Sequence, residues 1–256
     1  MARSPSGESL LTRAVRILDL FVAERPALSV AQIARQARLP ASTAQRLVAE
    51  LLELGLLERD GEGRVRMGLR LWEMSVRSSR ALGLSEASMP YLQDIHRALR
   101  VDVQVAVLDG ADVLYLEKLG INPAINVTKI AGRLPAHATS AGLVLLAFAP
   151  REVTDRVLAG PLPRMASGTL TEPAAIRRLL AHARRTGFVV SKAMLRDNAT
   201  GIAVPIRRSP AEVVASLSVV VPVEDHPRRY LPALLAAAQG IGRSMGGAGS
   251  RSAAGA

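Results

Sequence analysis

The chain has 256 residues, of which 49% are hydrophobic, enough for a substantial core in one large domain or two smaller ones. No run of about 18 apolar residues is present, and Met1 to Leu11 contains no apolar signal region, so we expect a cytoplasmic protein without a membrane span. Cysteine is absent, which excludes disulfides, cysteine nucleophiles, zinc ribbons and iron–sulfur clusters. The net charge of +11 suggests an anionic partner.

The first 69 residues have the pattern of three helices followed by a hairpin. Helical spacing predicts an amphipathic helix over about 10–24, with its apolar face formed by Leu11, Ala14, Val15, Leu18 and Phe21. Ser29-Val30-Ala31-Gln32 has the form of a capping box that starts a second helix. A third helix follows Pro40, and Asp60-Gly61-Glu62-Gly63 predicts a hairpin. This order is typical of a winged helix-turn-helix domain, which binds DNA.

The outer face of the third helix carries the strongest local signal. Gln45 can pair with adenine and Arg46 with guanine in the major groove. Ser42 and Thr43 lie at the helix start, where hydroxyl and backbone N–H groups meet phosphate. Alternatively, Ser42 and Gln45 form a second capping box, and Arg46 pairs with Glu50 one turn later. The role of Gln45 stays open, whereas we favour DNA contact for Arg46.

The hairpin carries a further candidate for DNA contact. Arg64 and Arg66 are spaced to share one face of its second strand, which suits contact with phosphate or the minor groove. The alternative is that both are solvated strand charges.

Beyond residue 70 helices and strands alternate. We predict a linker helix over 70–84, ended by Gly83 and Ser85 before a helix at about 86–99. Thr171 is the predicted N-cap of a later helix. The predicted strands are 101–107, 113–119, 125–130, 188–190, 201–206 and 213–221, and the other helices 140–148, 151–158, 171–186 and 226–245. This pattern predicts an α+β sensor domain over 85–245, followed by a disordered tail at 246–256.

Several segments resemble the IclR family of transcriptional regulators. The opening Leu10-Leu11-Thr12-Arg13-Ala14-Val15-Arg16-Ile17-Leu18, the segment from Ile33 to Leu47 and the wing Gly63 to Gly68 resemble its DNA-binding domain. The stretch from Gly132 to Gly142 and the strand Ile202 to Ile206 resemble its effector domain. The resemblance covers residues 9–245 and implies a winged helix, a linker helix and a GAF-like effector-binding domain. It also implies homodimers that often pair into tetramers, an inverted-repeat operator in double-stranded DNA, and an organic acid or aromatic metabolite as effector.

The resemblance also suggests which residues form the effector pocket. The matching positions are Ala141, Gly142, Ser191, Gly201, Ser218 and Met194. Gly201 stands where some relatives carry a thiol or hydroxyl, and Met194 where many carry an acid, so an oxyanion effector is less secure here. Met194 suits an apolar ligand instead. Ordinary packing is the alternative for each position.

Two rival functions are considered. An enzyme with a winged-helix module would use His137 with Thr139 or Ser140, but the sequence marks no third orienting group, and we expect a structural role for His137. A ligand-independent architectural DNA-binding protein would use its C-terminal half only to oligomerise. We predict no catalytic residue, metal site or cofactor.

Overall fold

A computed structural model describes residues 8–22, 24–78, 80–120, 122 and 132–252. The chain divides into two compact units, Met1–Ser79 and Arg80–Ala256. The strand predicted over 125–130 lies outside the described residues.

The N-terminal unit is a winged helix-turn-helix, as predicted. Its elements are α1 (Leu10–Leu18), β1 (Ala27–Leu28), α2 (Val30–Gln36), α3 (Ala41–Glu53), β2 (Leu57–Arg59), β3 (Val65–Met67) and α4 (Leu69–Ser78). The strands form an antiparallel sheet in the order β1-β3-β2. Its core is a cluster of buried apolar residues that includes Ile17, Ile33, Leu47, Leu51 and Val65.

The starts of α2 and α3 differ in their capping. The predicted capping box is present at α2, where the Gln32 N–H donates to Ser29 Oγ at 3.2 Å and the Ser29 N–H donates to Gln32 Oε1 at 2.8 Å. The second box is not present, because α3 has Pro40 as its N-cap and no side-chain cap. Ser42 and Gln45 therefore lie inside α3 rather than in a cap.

The first helix is shorter than predicted, and only part of its predicted apolar face packs against the core, namely Ala14, Leu18 and the following Phe21. It ends at Leu18 because, beyond the C-cap Asp19, the N–H groups of Leu20 and Phe21 bond three residues back instead of four. Its buried residues are Arg13 and Ile17. Leu11 and Val15, which were predicted to pack inward, are 77% and 54% exposed.

The C-terminal unit is an α+β domain built on one six-stranded antiparallel sheet. Its elements are α5 (Arg80–Leu99), β4 (Asp102–Asp109), β5 (Asp112–Leu119), β6 (Arg133–Pro135), a 3₁₀ turn (Ala136–Ala138), α6 (Ser140–Phe148), α7 (Arg151–Ala159), α8 (Pro173–Thr186), β7 (Val189–Lys192), β8 (Ala199–Ser209), β9 (Glu212–Pro222), a second 3₁₀ turn (Pro227–Tyr230) and α9 (Leu231–Ser252). The strand order is β6-β5-β4-β9-β8-β7.

Alternate residues of the central strands serve two separate cores. On β8, Ile202 and Val204 join one cluster with Leu92 of α5 and Leu234 of α9. Ala203, which points the opposite way, joins the second cluster with residues of α6, α7 and α8. The sheet therefore lies between two helical layers, and Gln104, Ser218 and Gly201 belong by alternation to the face covered by α6.

Three local predictions differ from the structure. Gly83 and Ser85 lie inside α5 instead of ending a helix, and Ser88 Oγ donates to the Leu84 carbonyl there at 2.6 Å. Glu172 rather than Thr171 is the N-cap of α8, because Pro173 takes the first helical position. Helix α9 continues to Ser252, into the segment predicted as a disordered tail. Its backbone hydrogen bonding continues there although the segment is rich in glycine.

Candidate DNA-binding surface and effector cavity

The outer face of α3 is formed by residues that the core does not need. Ala44, Leu47, Val48 and Leu51 are buried and hold the helix against the rest of the unit, whereas Ser42, Gln45, Arg46 and Ala49 are exposed and Thr43 is half-buried. The predicted residues therefore lie together on one helix. Because α3 has no side-chain cap, the first N–H groups of the helix are not occupied by a capping side chain.

Arg46 forms the ion pair that was considered as its alternative role. Its Nη1 donates to Glu50 Oε1 at 2.8 Å, and the two side chains are 57% and 43% exposed. Exposed pairs of this kind contribute about 0–1 kcal/mol, so exchanging Glu50 for another acceptor costs little. The ion pair and a contact with a base are therefore compatible.

The two arginines of the hairpin also have acidic neighbours. Arg64 Nε donates to Asp60 Oδ2 at 2.9 Å, and Arg66 Nε donates to Glu58 Oε1 at 2.7 Å. Desolvation would raise the pKa of Asp60, but its hydrogen bonds from Arg64 and from the Glu62 N–H hold that pKa below the ordinary value. Both arginines are exposed on either side of the buried Val65. Arg66 lies on β3 as predicted, whereas Arg64 lies just before the strand.

A small cavity lies in the C-terminal unit between the start of α6 and the sheet. We call it the polar cavity; its volume is about 40 Å³, and it is lined by residues that include Gln104, Tyr115, Ser140, Ser191, Arg196 and Gly201. Ser191 and Gly201 are directly paired neighbours on β7 and β8. A Cβ atom added to Gly201 would lie 2.5 Å from Ser140 Oγ and 3.0 Å from Ser191 Oγ, so the three residues converge on one point.

The predicted pocket residues divide into two groups. Ser191 and Gly201 line the polar cavity, and Ser218 is paired with the lining residue Gln104 on the neighbouring strand. Ala141, Gly142 and Met194 are not among its described lining residues.

Packing accounts for the second group. A Cβ at Gly142 would lie 2.2 Å from the Ala136 carbonyl oxygen, which requires glycine at this close approach. The Gly142 N–H already donates to Thr139 Oγ1 at 2.9 Å. Ala141 and Met194 are part of the apolar core beneath α6.

Ser218 has a property that ordinary packing does not explain. It is fully buried, and its Oγ has no hydrogen-bond partner among the described residues. Leaving a buried hydroxyl unpaired costs about 1–3 kcal/mol. The residue paired with it on β4, Gln104, lines the polar cavity.

Sequence reasoning missed Gln104, Tyr115, Ser140 and Arg196 as lining residues. Gln104 had a signal, because it is the polar residue within an apolar run that is buried on both faces. The sequence contains no signal for Tyr115, because only the folded domain brings this residue to the cavity. Burial raises the pKa of the Tyr115 phenol, and a hydrogen bond with the Thr139 side chain only partly opposes this rise, so the group stays neutral.

His137 has the structural role that we expected from the sequence. The ring is 2% exposed, and its Nε2 lies 3.0 Å from the Pro163 carbonyl oxygen. This hydrogen bond fixes the segment after α7 to the 3₁₀ turn before α6.

Comparison with known proteins decides the family. The helix-turn-helix model of the IclR family matches residues 10–61, and the model for the C-terminal region of bacterial transcriptional regulators of the IclR type matches residues 77–245. The chain belongs to the IclR family. It is therefore a transcriptional regulator with a DNA-binding helix-turn-helix domain and a C-terminal domain of the kind that binds small-molecule effectors, and not an enzyme.

Three similar proteins illustrate this relationship. An IclR homolog from Microbacterium hydrocarbonoxydans, crystallised with 4-hydroxybenzoate, is 45% identical with a TM-score of 0.85, and the match covers 93% of this chain and 99% of that one. The Pca regulon regulatory protein of Pseudomonas putida is 30% identical, over 93% of this chain and 84% of its own length. The regulator KipR of Bacillus subtilis is 26% identical, over 82% and 84%. In the part of the chain that the structure describes, no helix could span a membrane.

Proposed function

We propose that this regulator binds an inverted-repeat operator as a homodimer, with one α3 helix in the major groove of each half-site. The observation that carries the proposal is the exposed row of Ser42, Gln45 and Arg46 opposite the buried face of α3. Arg46 and Gln45 read base edges, while Ser42 and Thr43 contact phosphate at the helix start. Arg64 and Arg66 exchange their acidic partners for phosphate on the flanking backbone.

The test uses an operator selected by the wild-type protein from random duplexes. We expect Arg46→Ala to lose specific affinity while its affinity for unrelated DNA is nearly unchanged, because the lost contact is with a base. Arg77→Ala, on the exposed side of α4, removes the same charge away from α3 and is the matched control. Unchanged specific affinity in Arg46→Ala contradicts the assignment of α3.

The homodimer is supported by apolar side chains that the N-terminal unit leaves exposed. Leu11 and Val15 on α1 are 77% and 54% exposed, and Leu69 and Trp72 on α4 are 70% and 65% exposed. A second copy of the same unit would cover them. Trp72 is the single tryptophan of the chain, so its fluorescence reports this contact directly. In the dimer we expect a blue-shifted tryptophan emission, which shifts to longer wavelength when dilution dissociates the dimer. We expect Trp72→Lys to sediment with a lower mass than the wild type. Pairing of such dimers into tetramers is a further expectation that the same sedimentation experiment measures.

We further propose that the effector is a small aromatic acid, bound in the polar cavity. The relative crystallised with 4-hydroxybenzoate is 45% identical to this chain. The lining hydroxyl groups of Ser140 and Ser191 supply hydrogen bonds, and Arg196 supplies positive charge. We expect the unpaired Oγ of Ser218, on the strand beside the lining residue Gln104, to reach the ligand once the walls move apart. The neutral Tyr115 provides an apolar ring edge.

The small volume of the polar cavity limits how an aromatic effector can bind and regulate the protein. About 40 Å³ is far below the several hundred Å³ that enclose a drug-sized ligand. An aromatic effector must therefore displace the walls of the cavity, and it stabilises the expanded arrangement of the domain by its binding free energy. Such a preference for one conformation is what regulation of DNA affinity requires.

Thermal unfolding with 4-hydroxybenzoate tests the effector proposal. A true effector at 100 times its Kd stabilises the protein by about 2.7 kcal/mol. 4-Hydroxybenzamide has the same shape without the charge and is the matched control. Ser218→Ala should bind DNA normally and respond weakly to the acid. A chain that no aromatic acid stabilises would fit the architectural alternative instead.

A further inference from the structure

The C-terminal unit contains a second cavity, which is larger than the polar cavity. A groove of about 680 Å³ lies at the opposite end of α6, between the β4–β5 turn, α7 and the segment after it. We call it the α6–α7 groove. It shares none of its described lining residues with the polar cavity. Its volume falls within the range of about 300–1,000 Å³ that is typical of small-molecule sites.

The walls of the groove are apolar and held in place. Phe148, Pro161 and Pro163 are among its lining residues and offer flat apolar faces. The Arg207 guanidinium lies 4.4 Å from the centre of the Phe148 ring and restrains that ring. The hydrogen bond between His137 and the Pro163 carbonyl oxygen anchors two further lining residues. The groove is therefore shaped before any ligand enters.

Two charged side chains line the groove. Arg156 of α7 is exposed and has no ion pair or hydrogen bond among the described residues, so its guanidinium can accept a carboxylate in a bidentate pair. Asp112, at the start of β5, is the acidic lining residue. A carboxylate at Arg156 leaves the apolar body of its ligand against Phe148 and the prolines.

We propose that the α6–α7 groove is a second ligand site, which takes a monocarboxylic acid with an apolar body larger than one ring and Arg156 as its counter-ion. Helix α6 runs from Ser140 at the polar cavity to Phe148 at the groove, on the order of 13 Å at 1.5 Å per residue. A ligand in either site contacts the same helix.

The test uses 2-naphthoate and the full-length protein in titration calorimetry. We expect saturable binding to the wild type and about tenfold weaker binding to Arg156→Ala. Arg178→Ala, which removes an exposed arginine of α8 away from the groove, should bind like the wild type. Asp112→Asn should bind equally or more tightly. Absence of saturable binding to the wild type overturns the proposal, and so does an equal loss in Arg156→Ala and Arg178→Ala.

A second pair of variants tests the location. Gly160 lines the groove with a negative φ of −84°, and a Cβ there would meet its nearest neighbour, the Val157 carbonyl oxygen, at 3.5 Å. We therefore expect Gly160→Trp to fold and to abolish binding, whereas Gly160→Ala retains it. Gly201→Ala, which alters only the polar cavity, should also retain it. Binding that Gly201→Ala loses and Gly160→Trp keeps would place 2-naphthoate in the polar cavity and overturn the proposal. A lower sedimentation mass of Gly160→Trp would identify the groove as a contact between copies and would also overturn it.

Discussion

Gly201→Ala is the sharpest perturbation of the polar cavity. The added Cβ would lie 2.5 Å from Ser140 Oγ and 3.0 Å from Ser191 Oγ, closer than carbon and oxygen atoms pack without adjustment. These two obstacles are hydroxyls on short side chains, which can rotate to other staggered positions. The third neighbour, Ser140 Cβ at 3.3 Å, cannot rotate away and requires a small shift of α6 or β8. We therefore expect the variant to fold with a free energy of unfolding lower by about 1–3 kcal/mol, as is typical of overpacked sites.

Gly201→Ala should weaken effector binding more than its effect on folding alone suggests. The methyl group occupies part of a cavity of about 40 Å³ and displaces the two hydroxyls that would bind the acid. We expect the affinity for 4-hydroxybenzoate, measured by titration calorimetry, to fall at least tenfold, which corresponds to about 1.4 kcal/mol. The affinity for DNA in the absence of effector should be unchanged, because no residue of the N-terminal unit is altered.

Gly83→Ala is the matched control. This glycine lies within α5, and a Cβ added there meets nothing within 4 Å. The substitution should stabilise the protein by about 1 kcal/mol through helix propensity and leave the effector affinity as it is. Gly201→Ala with wild-type affinity for an acid that binds the wild type would refute the placement of the effector in the polar cavity.

Four other variants probe separate parts of the molecule. Ser29→Ala should lower the free energy of unfolding by about 1 kcal/mol in chemical denaturation because it removes the capping box, whereas Ser42→Ala should change stability little and weaken DNA binding. Arg46→Ala should lose about 1–3 kcal/mol of operator discrimination in fluorescence anisotropy. Desolvation would raise the pKa of Asp225, but hydrogen bonds from Tyr230 and the His226 N–H lower it. Its stabilising contribution is therefore present above the unfolded-state pKa of about 3.9 and is lost as the pH falls through the folded-state value. Asp225→Asn should accordingly lose less melting temperature than the wild type when the pH falls from about 5 to about 2. An equal loss in the variant and the wild type would contradict this.

The elements that the sequence predicts well are those whose burial matches their periodicity. Helix α3 has one buried face, and the middles of β8 and β9 are buried between two helical layers, so these elements could be recognised from the sequence. The incorrect predictions arise where one sequence pattern is compatible with two different structures. The apolar residues of α1 include Leu11 and Val15, which the folded unit leaves exposed, and periodicity cannot separate apolar residues of the core from apolar residues of the surface.

Glycine shows the same ambiguity in the effector domain. The resemblance suggests both Gly142 and Gly201 as pocket residues, but only Gly201 lines the polar cavity, whereas Gly142 permits a close approach to Ala136. The sequence could also not bring Ser140 to Ser191, because a helix start and a strand meet there only in the folded domain. The resemblance suggests Ser218 as a residue of the effector pocket. The structure adds that its buried hydroxyl has no hydrogen-bond partner among the described residues, which the sequence could not show.

The starts of the first three helices differ in their capping, and this difference relates helix stability to DNA binding. Helices α1 and α2 are capped by Ser9 and Ser29, whose side chains accept the N–H groups of Thr12 and Gln32. Helix α3 follows a proline and has no such cap, although Ser42 is close by. An uncapped start is less stable by about 1 kcal/mol, but it keeps N–H donors and the positive end of the helix dipole free for a phosphate. Since α3 is also the helix with the exposed Gln45 and Arg46, a helix start without a side-chain cap lies where we expect DNA to supply hydrogen-bond acceptors.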